Sequence, residues 1–139
     1  MEKVVVKRQI PVKAIVTEGL KRKLAADVQE AIKKLDLELQ QLEFSLKKVQ
    51  LELKADPQRL MAAQQQITTE IKKRQDTRNQ LLAKLKEIGR LNVGEEVVQG
   101  LVEGLIEVQV GDRWDKVMHM EIVLKDNVVV EIRSPLRES

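Results

Sequence analysis

Residues 25–53, AADVQEAIKKLDLELQQLEFSLKKVQLEL, decide the fold class of this chain. Apolar side chains recur there at alternating intervals of three and four residues over four heptads. Such spacing places them along one side of a helix and is typical of a coiled-coil seam. The seam consists of Ala25, Val28, Ile32, Leu35, Leu39, Leu42, Leu46, Val49 and Leu53. The stretch therefore predicts a long helix that packs against a second helix, and Thr17 is its expected N-cap.

The second helix is expected directly after the first, because Pro57 ends one helix and can begin another. A residue before proline avoids the α region, whereas Asp56 can cap a helix whose first position is Pro57. So short a connection forces the two helices antiparallel. Gly89 is the expected C-terminal stop. The seam of the second helix has three polar members and consists of Leu60, Gln64, Ile67, Ile71, Arg74, Arg78, Leu81, Leu85 and Ile88. Residues 72–80 contain no apolar side chain, so the middle of the pair is either weakly packed or polar by selection.

Both ends of the chain predict β-strands. Residues 3–16 alternate in the strand manner, although Pro11 requires a sheet edge or a break there. Turns at residues 111–113 and 125–127 separate further strands, which are predicted near 95–110, 117–124 and 127–133. Gly100 and Gly104 predict a bulge or bend in the first of these.

The sequence thus predicts an α+β fold with two parts. Residues 17–90 form a long antiparallel two-helix coiled-coil hairpin. Because the hairpin returns the chain to its start, the N-terminal strand can join the C-terminal strands. Residues 1–16 and 91–139 then form a small antiparallel β module.

Composition narrows the functional classes. The 139 residues include no cysteine, which excludes disulfides, thiolate nucleophiles and sulfur-ligated metals. The aromatic residues are Phe44 and Trp114, too few to stack bases or a flat cofactor. His119 and Glu121 offer two ligands, where a metal site normally needs three or four. We therefore expect no catalytic residue, no cofactor and no metal, and a protein that is not an enzyme.

The length of the apolar runs indicates where in the cell the protein is expected. The N-terminal run of three valines lies between charges and is too short for a signal peptide. No stretch approaches the roughly 20 apolar residues of a membrane span. We expect a cytoplasmic protein without membrane contact.

A second apolar stripe lies on the first helix. Leu37, Phe44 and Leu51 recur every seven residues, about 170° from the middle of the seam. One partner helix cannot cover both sides. Isolated surface apolar residues are common, and glutamines and lysines interrupt this stripe. An exposed phenylalanine between leucines nevertheless favours a contact patch, used for homo-oligomerisation or for a helical protein partner. Paired hairpins would form a four-helix bundle.

Basic clusters suggest an alternative function. Residues 57–90 carry 8 basic and 3 acidic side chains, whereas residues 91–139 carry 5 and 10. Basic runs can contact phosphates, although interleaved acids make a solvated helix face the commoner reason for them. The candidate phosphate contacts are Lys21, Arg22, Lys23, Lys72, Lys73, Arg74 and Arg78. Trp114 follows a glycine turn and could either anchor a partner or pack over the open end of the sheet.

The stretch GLVEGLIEVQVGDRWDKVM, residues 100–118, resembles the YlqD family of small bacterial proteins. The element that carries the resemblance is Val108, Val110, Gly111, Asp112, Trp114 and Asp115, preceded by the N-terminal strand and the long hairpin. The family has no assigned activity, so the resemblance implies no catalytic residue. Its genes lie near ribosomal and RNA-maturation genes in some bacteria, which favours an RNA role by association alone.

Three functional hypotheses follow. The leading one is a non-enzymatic interaction scaffold that is homo-oligomeric through the helical arm. The second is an RNA- or ribosome-associated factor that uses the basic arm. The third hypothesis is a prefoldin-like holdase. It is the least favoured of the three, because the tight connection between the helices offers no flexible segment to hold a client.

Overall fold

The computed structural model describes residues 2–133 and shows three helices and four strands there. In chain order they are β1 (Lys3–Ile15), α1 (Glu18–Glu52), α2 (Pro57–Arg90), β2 (Glu96–Gln109), α3 (Trp114–Val117), β3 (Glu121–Lys125) and β4 (Val128–Arg133). The chain divides into two compact units. The helical unit is Arg22–Arg90, and the β unit combines the chain up to Lys21 with the chain from Leu91 onward. The predicted α+β fold class is confirmed.

The two long helices begin at the predicted caps. The Thr17 hydroxyl accepts a hydrogen bond from the Leu20 amide at 3.1 Å. The Asp56 carboxylate accepts one from the Arg59 amide at 3.3 Å. The predicted stop at Gly89 is wrong, because α2 continues to Arg90. Glycine permits a left-handed conformation without requiring it, and the first glycine with positive φ is Gly94, at +96°.

Within the helical unit, burial follows the predicted seams. Every predicted seam residue of α1 is buried or partly buried, and Val28 and Ile32 form a buried cluster with Ile88 of α2. The side chains packed against this cluster are Leu24, Ala25, Leu81 and Leu85. The start of α1 thus packs on the end of α2, as an antiparallel pair requires.

The β unit contains one four-stranded sheet in the order β2-β1-β3-β4. Pairing is antiparallel between β1 and β2 and between β3 and β4. The prediction of a wholly antiparallel module is wrong at one pair, because β1 and β3 are parallel from Val12 to Ala14. Parallel neighbours need a long crossover, and the helices together with β2 supply it here.

The prediction that Pro11 puts β1 at an edge needs a similar correction. β1 continues through Pro11 and lies inside the sheet, but β3 begins to pair with it only at Val12. At Pro11 itself, β2 is the one neighbouring strand that pairs with β1. The proline therefore precedes the part of β1 that has strands on both sides.

The predicted turns and bulge occupy their expected places. Asp126 and Asn127 both have positive φ and connect β3 to β4 as a two-residue turn. Val12 pairs with Gly100 and Lys13 with Val98, which leaves Gln99 as the extra residue of a bulge.

One predicted strand starts too early. Residues Trp114–Val117 form α3, and β3 begins only at Glu121. The turn before α3 is fixed by Gly111, with φ of +102°, and by the Asp112 carboxylate, which accepts a hydrogen bond from the Gln109 amide at 2.9 Å. The alternation of apolar residues continues across this irregular segment. The alternation therefore placed the start of the predicted strand several residues before the start of β3.

Candidate interaction site

The α1 stripe, defined as Leu37, Phe44 and Leu51, lies in solvent. Their exposed fractions are 61%, 69% and 79%. Seven residues of helix rise about 10.5 Å, so the three side chains form a row of roughly 21 Å along α1. Within residues 2–133, the chain itself does not cover this row.

Polar side chains separate the three members of the α1 stripe. Gln40, Gln41, Lys47 and Lys48 are all exposed. Lys48 lies 3.8 Å from Glu52, and Lys47 has no ion-pair partner among residues 2–133. Glutamines therefore lie before Phe44 and lysines after it.

Two acidic residues of α1 contact arginines of α2. The Asp36 carboxylate accepts a hydrogen bond from Arg78 Nε at 2.7 Å, and Glu38 accepts one from Arg74 Nε at 3.0 Å. These pairs explain the polar middle of α2, because arginines at seam positions need carboxylates beside them. Asp36 pairs with the later arginine and Glu38 with the earlier one, again the order of an antiparallel pair.

The ion pairs also bear on the candidate phosphate contacts. Arg74 Nη1 lies 2.7 Å from Glu70, and Lys73 lies 3.6 Å from the same carboxylate. The hydrogen bond from Arg74 and the charge of Lys73 hold the pKa of Glu70 below its usual value. Hydrogen bonds with Glu70 and Glu38 raise the pKa of Arg74. These cations are already partly neutralised within the helical unit.

The other candidates differ in exposure. Arg22, Lys23 and Lys72 are exposed and have no ion-pair partner within the described part of the chain. Lys21 is partly buried. Arg74, Arg78 and Lys73 share two turns of α2, whereas Arg22 and Lys23 lie in the first turns of α1.

Trp114 is exposed at the start of α3, with 63% of its surface in solvent. Packing over the open end of the sheet, one of its two predicted roles, would have buried more of the ring. Val110 and Met118 are exposed nearby in the chain, and Arg113 pairs with Asp115 at 3.1 Å. Trp114 therefore remains available as a contact residue.

The sequence did not reveal two features of the β unit. The first is β4, whose residues Val128, Val129, Val130 and Ile132 are all more than half exposed on an edge strand. The run of valines was visible, but its position at an edge depends on the strand order.

The second feature is an ionic network across one face of the sheet. Arg133 on β4 contacts both carboxylate oxygens of Glu96 on β2 at 2.8 Å and Glu121 on β3 at 3.0 Å. Lys13 on β1 lies 2.9 Å from Glu121. The network thus joins all four strands, including the two opposite edges. Arg133 holds the pKa of Glu96 below its usual value, and Lys13 together with Arg133 does the same for Glu121.

Arg8 supports the segment before β3. Its guanidinium donates hydrogen bonds to the carbonyls of Met118 and Met120. In the same segment, His119 Nδ1 hydrogen-bonds with the Asp115 carbonyl. Among residues 2–133, no three metal-binding side chains come together. Over the same residues, neither long helix is apolar enough to cross a bilayer.

Known proteins are similar to this chain in sequence and in fold. Residues 4–133 match the family model described as YlqD protein. "Uncharacterized protein YlqD" of Bacillus subtilis (strain 168) is 31% identical over 126 residues, which are 90% of this chain and 94% of that protein. A protein of unknown function from Synechococcus sp. WH 8102, known from its crystal structure, has a TM-score of 0.83 and 27% identity, over 94% of this chain and 96% of its own. The resemblance in residues 100–118 is therefore confirmed, and the chain belongs to the YlqD family.

Proposed function

We propose that this protein is a non-enzymatic interaction scaffold that self-associates through the α1 stripe. The observation that carries the proposal is the exposure of Phe44 between two exposed leucines on a helix whose other side packs against α2. An exposed phenylalanine between exposed leucines at heptad spacing favours a contact patch, and a second copy of the chain is the partner that is always available.

Light scattering tests the proposal. At tens of micromolar the wild type should have the mass of a dimer or larger assembly. The triple variant Leu37→Gln, Phe44→Gln, Leu51→Gln should have the mass of one chain and keep its helical circular dichroism. Met61→Gln, which changes an exposed residue of α2, is the control and should behave as the wild type. A monomeric wild type at this concentration contradicts the proposal.

The second candidate function is RNA association. The helical unit carries 15 basic and 10 acidic side chains, and Arg22, Lys23 and Lys72 are unpaired within the described residues. If they contact phosphates, changing all three to glutamine should reduce the salt dependence of RNA binding by about one unit of slope per cation. Lys125→Gln, in the β unit, should change nothing. Absence of RNA binding by the wild type at low salt removes this candidate.

A further inference from the structure

We infer that the α1 stripe pairs with α1 of a second copy in the antiparallel direction, with Phe44 at the two-fold axis. This inference rests on the proposed self-association and adds the direction and register of the contact. Both follow from the order of the side chains along the exposed side of α1.

The apolar residues are symmetric about Phe44. Leu37 lies seven residues before it and Leu51 seven residues after it. An antiparallel pair centred on Phe44 brings each Leu37 to the partner's Leu51 and joins the two phenylalanine rings. A parallel pair would also bring apolar residues together, because each of the three would meet the same residue of the partner. The apolar side chains fix the register, and their neighbours must fix the direction.

The neighbours are not symmetric about Phe44. Gln40 and Lys47 lie seven residues apart and border one side of the α1 stripe, while Gln41 and Lys48 border the other. In the antiparallel pair Gln40 meets the partner's Lys47 and Gln41 meets the partner's Lys48. A glutamine amide oxygen accepts a hydrogen bond from an ammonium group, so these contacts are favourable.

The parallel pair has the opposite electrostatics. It places Lys47 beside the partner's Lys48, and Lys33 beside the partner's Lys34, which are contacts between like charges. Among the carboxylates of α1, Glu52 lies 3.8 Å from Lys48 and relieves that lysine alone, and α2 already holds Asp36 and Glu38. Lys33, Lys34 and Lys47 have no ion-pair partner of their own within residues 2–133. The antiparallel direction is therefore favoured.

An isologous contact of this kind is closed. Each copy uses the same surface of α1, so two copies satisfy each other and leave no α1 stripe free for a third. The expected assembly is a dimer.

A charge-changing variant distinguishes the two directions. In the antiparallel dimer, Gln40→Glu with Gln41→Glu places four carboxylates beside four lysines and should lower the dissociation constant roughly five- to tenfold at low salt. In a parallel dimer the same change places glutamates beside glutamates and raises the constant. Gln65→Glu with Gln66→Glu, at exposed positions of α2, adds equal charge and is the matched control. The constant is measured by analytical ultracentrifugation.

Cross-linking checks the register, because the natural chain contains no cysteine. A mixture of Leu37→Cys and Leu51→Cys chains should form disulfide dimers between the two variants, whereas each variant alone should form few. Phe44→Cys should cross-link to itself, since disulfides need Cα atoms within about 7 Å.

The outcomes separate the inference from the proposal on which it rests. A wild type that stays monomeric overturns both. A dimeric wild type whose dissociation constant rises on Gln40→Glu with Gln41→Glu keeps self-association and overturns the antiparallel direction. Efficient self-cross-linking of Leu37→Cys overturns the direction in the same way.

Discussion

Arg133 connects more of the sheet than any local feature of its sequence suggests. Its partner Glu96 lies 37 residues away in the chain and on the opposite edge strand. A planar guanidinium holding both oxygens of one carboxylate is a geometrically specific contact that lysine does not reproduce. The pairing therefore restrains the position of β4 relative to β2.

Replacement of Arg133 should weaken the β unit. Arg133→Met keeps much of the side-chain length but removes the contacts to Glu96, Glu121 and Glu131. We expect Tm to fall by a few degrees in differential scanning calorimetry. Arg113→Met is the control, because Arg113 contacts only the nearby Asp115 among the described residues and should leave Tm unchanged. An equal fall in both variants contradicts a special role for Arg133.

The same network predicts a pH dependence. The pKa values of Glu96 and Glu121 are lowered in the folded chain, because Arg133 favours the charged form of Glu96, and Lys13 and Arg133 favour that of Glu121. A carboxyl group with a lowered folded pKa contributes stability that is complete above its unfolded pKa and is lost as pH falls through the folded value. The free energy of unfolding should thus hold steady while these carboxyl groups are ionised in the unfolded chain, and should decrease as pH falls from their usual pKa through the lowered folded values. Urea titrations at several pH values measure it, and Arg133→Met should show a shallower decrease.

At the scale of elements, α1 and α2 were the most predictable parts of the chain. Their seams and their caps at Thr17 and Asp56 are local, since each depends on residues within a few turns. The direction of β3 relative to β1 could not be predicted from local sequence. Alternation identifies which side chains share a face of a strand, but it does not determine whether β1 and β3 run the same way. That direction depends on the crossover and required the structure.

The polar seam of α2 predicts how replacing its arginines changes the stability of the helical unit. Arg74 and Arg78 occupy partly buried positions that most coiled coils fill with leucine. The variant Arg74→Leu, Arg78→Leu, Asp36→Asn, Glu38→Gln leaves neither α1 carboxylate without a partner, and it should raise the free energy of unfolding by about 1–3 kcal/mol. Exposed ion pairs contribute little, and replacing a whole inward ion pair often stabilises, whereas removing one partner alone destabilises. Chemical denaturation of this variant is compared with that of Lys72→Leu, Lys73→Leu.

The control removes two charges at outward positions and should give no gain. If the seam variant is less stable than the wild type, the ion pairs of Arg74 and Arg78 contribute more than packed leucines would, and the polar middle of α2 is a stabilising feature in itself.

At the scale of the molecule, the candidate site was predicted in part. The α1 stripe could be found from periodicity because it belongs to one helix, and the structure places all three of its members in solvent. The phosphate candidates could not be sorted in the same way. Arg74 and Arg78 look like free cations in the sequence, but their carboxylate partners on α1 are some forty residues away and depend on the register of the helix pair.

Self-association also predicts how the stability of the molecule changes with concentration. A dimer is favoured over unfolded chains by mass action, by about 1.4 kcal/mol for each tenfold rise in concentration above the dissociation constant. The Tm of the wild type should therefore rise with protein concentration. The Tm of Leu37→Gln, Phe44→Gln, Leu51→Gln should not, because this variant has lost the contact.

At high dilution the two proteins should unfold at the same temperature. The members of the α1 stripe contact little of their own chain, and substitutions at exposed positions usually change stability by less than about 0.5 kcal/mol. Scanning calorimetry over a hundredfold range of concentration measures both limits. A variant that is less stable even when dilute would show that the α1 stripe supports the fold of the single chain, in which case its loss could not be read as the loss of an interface.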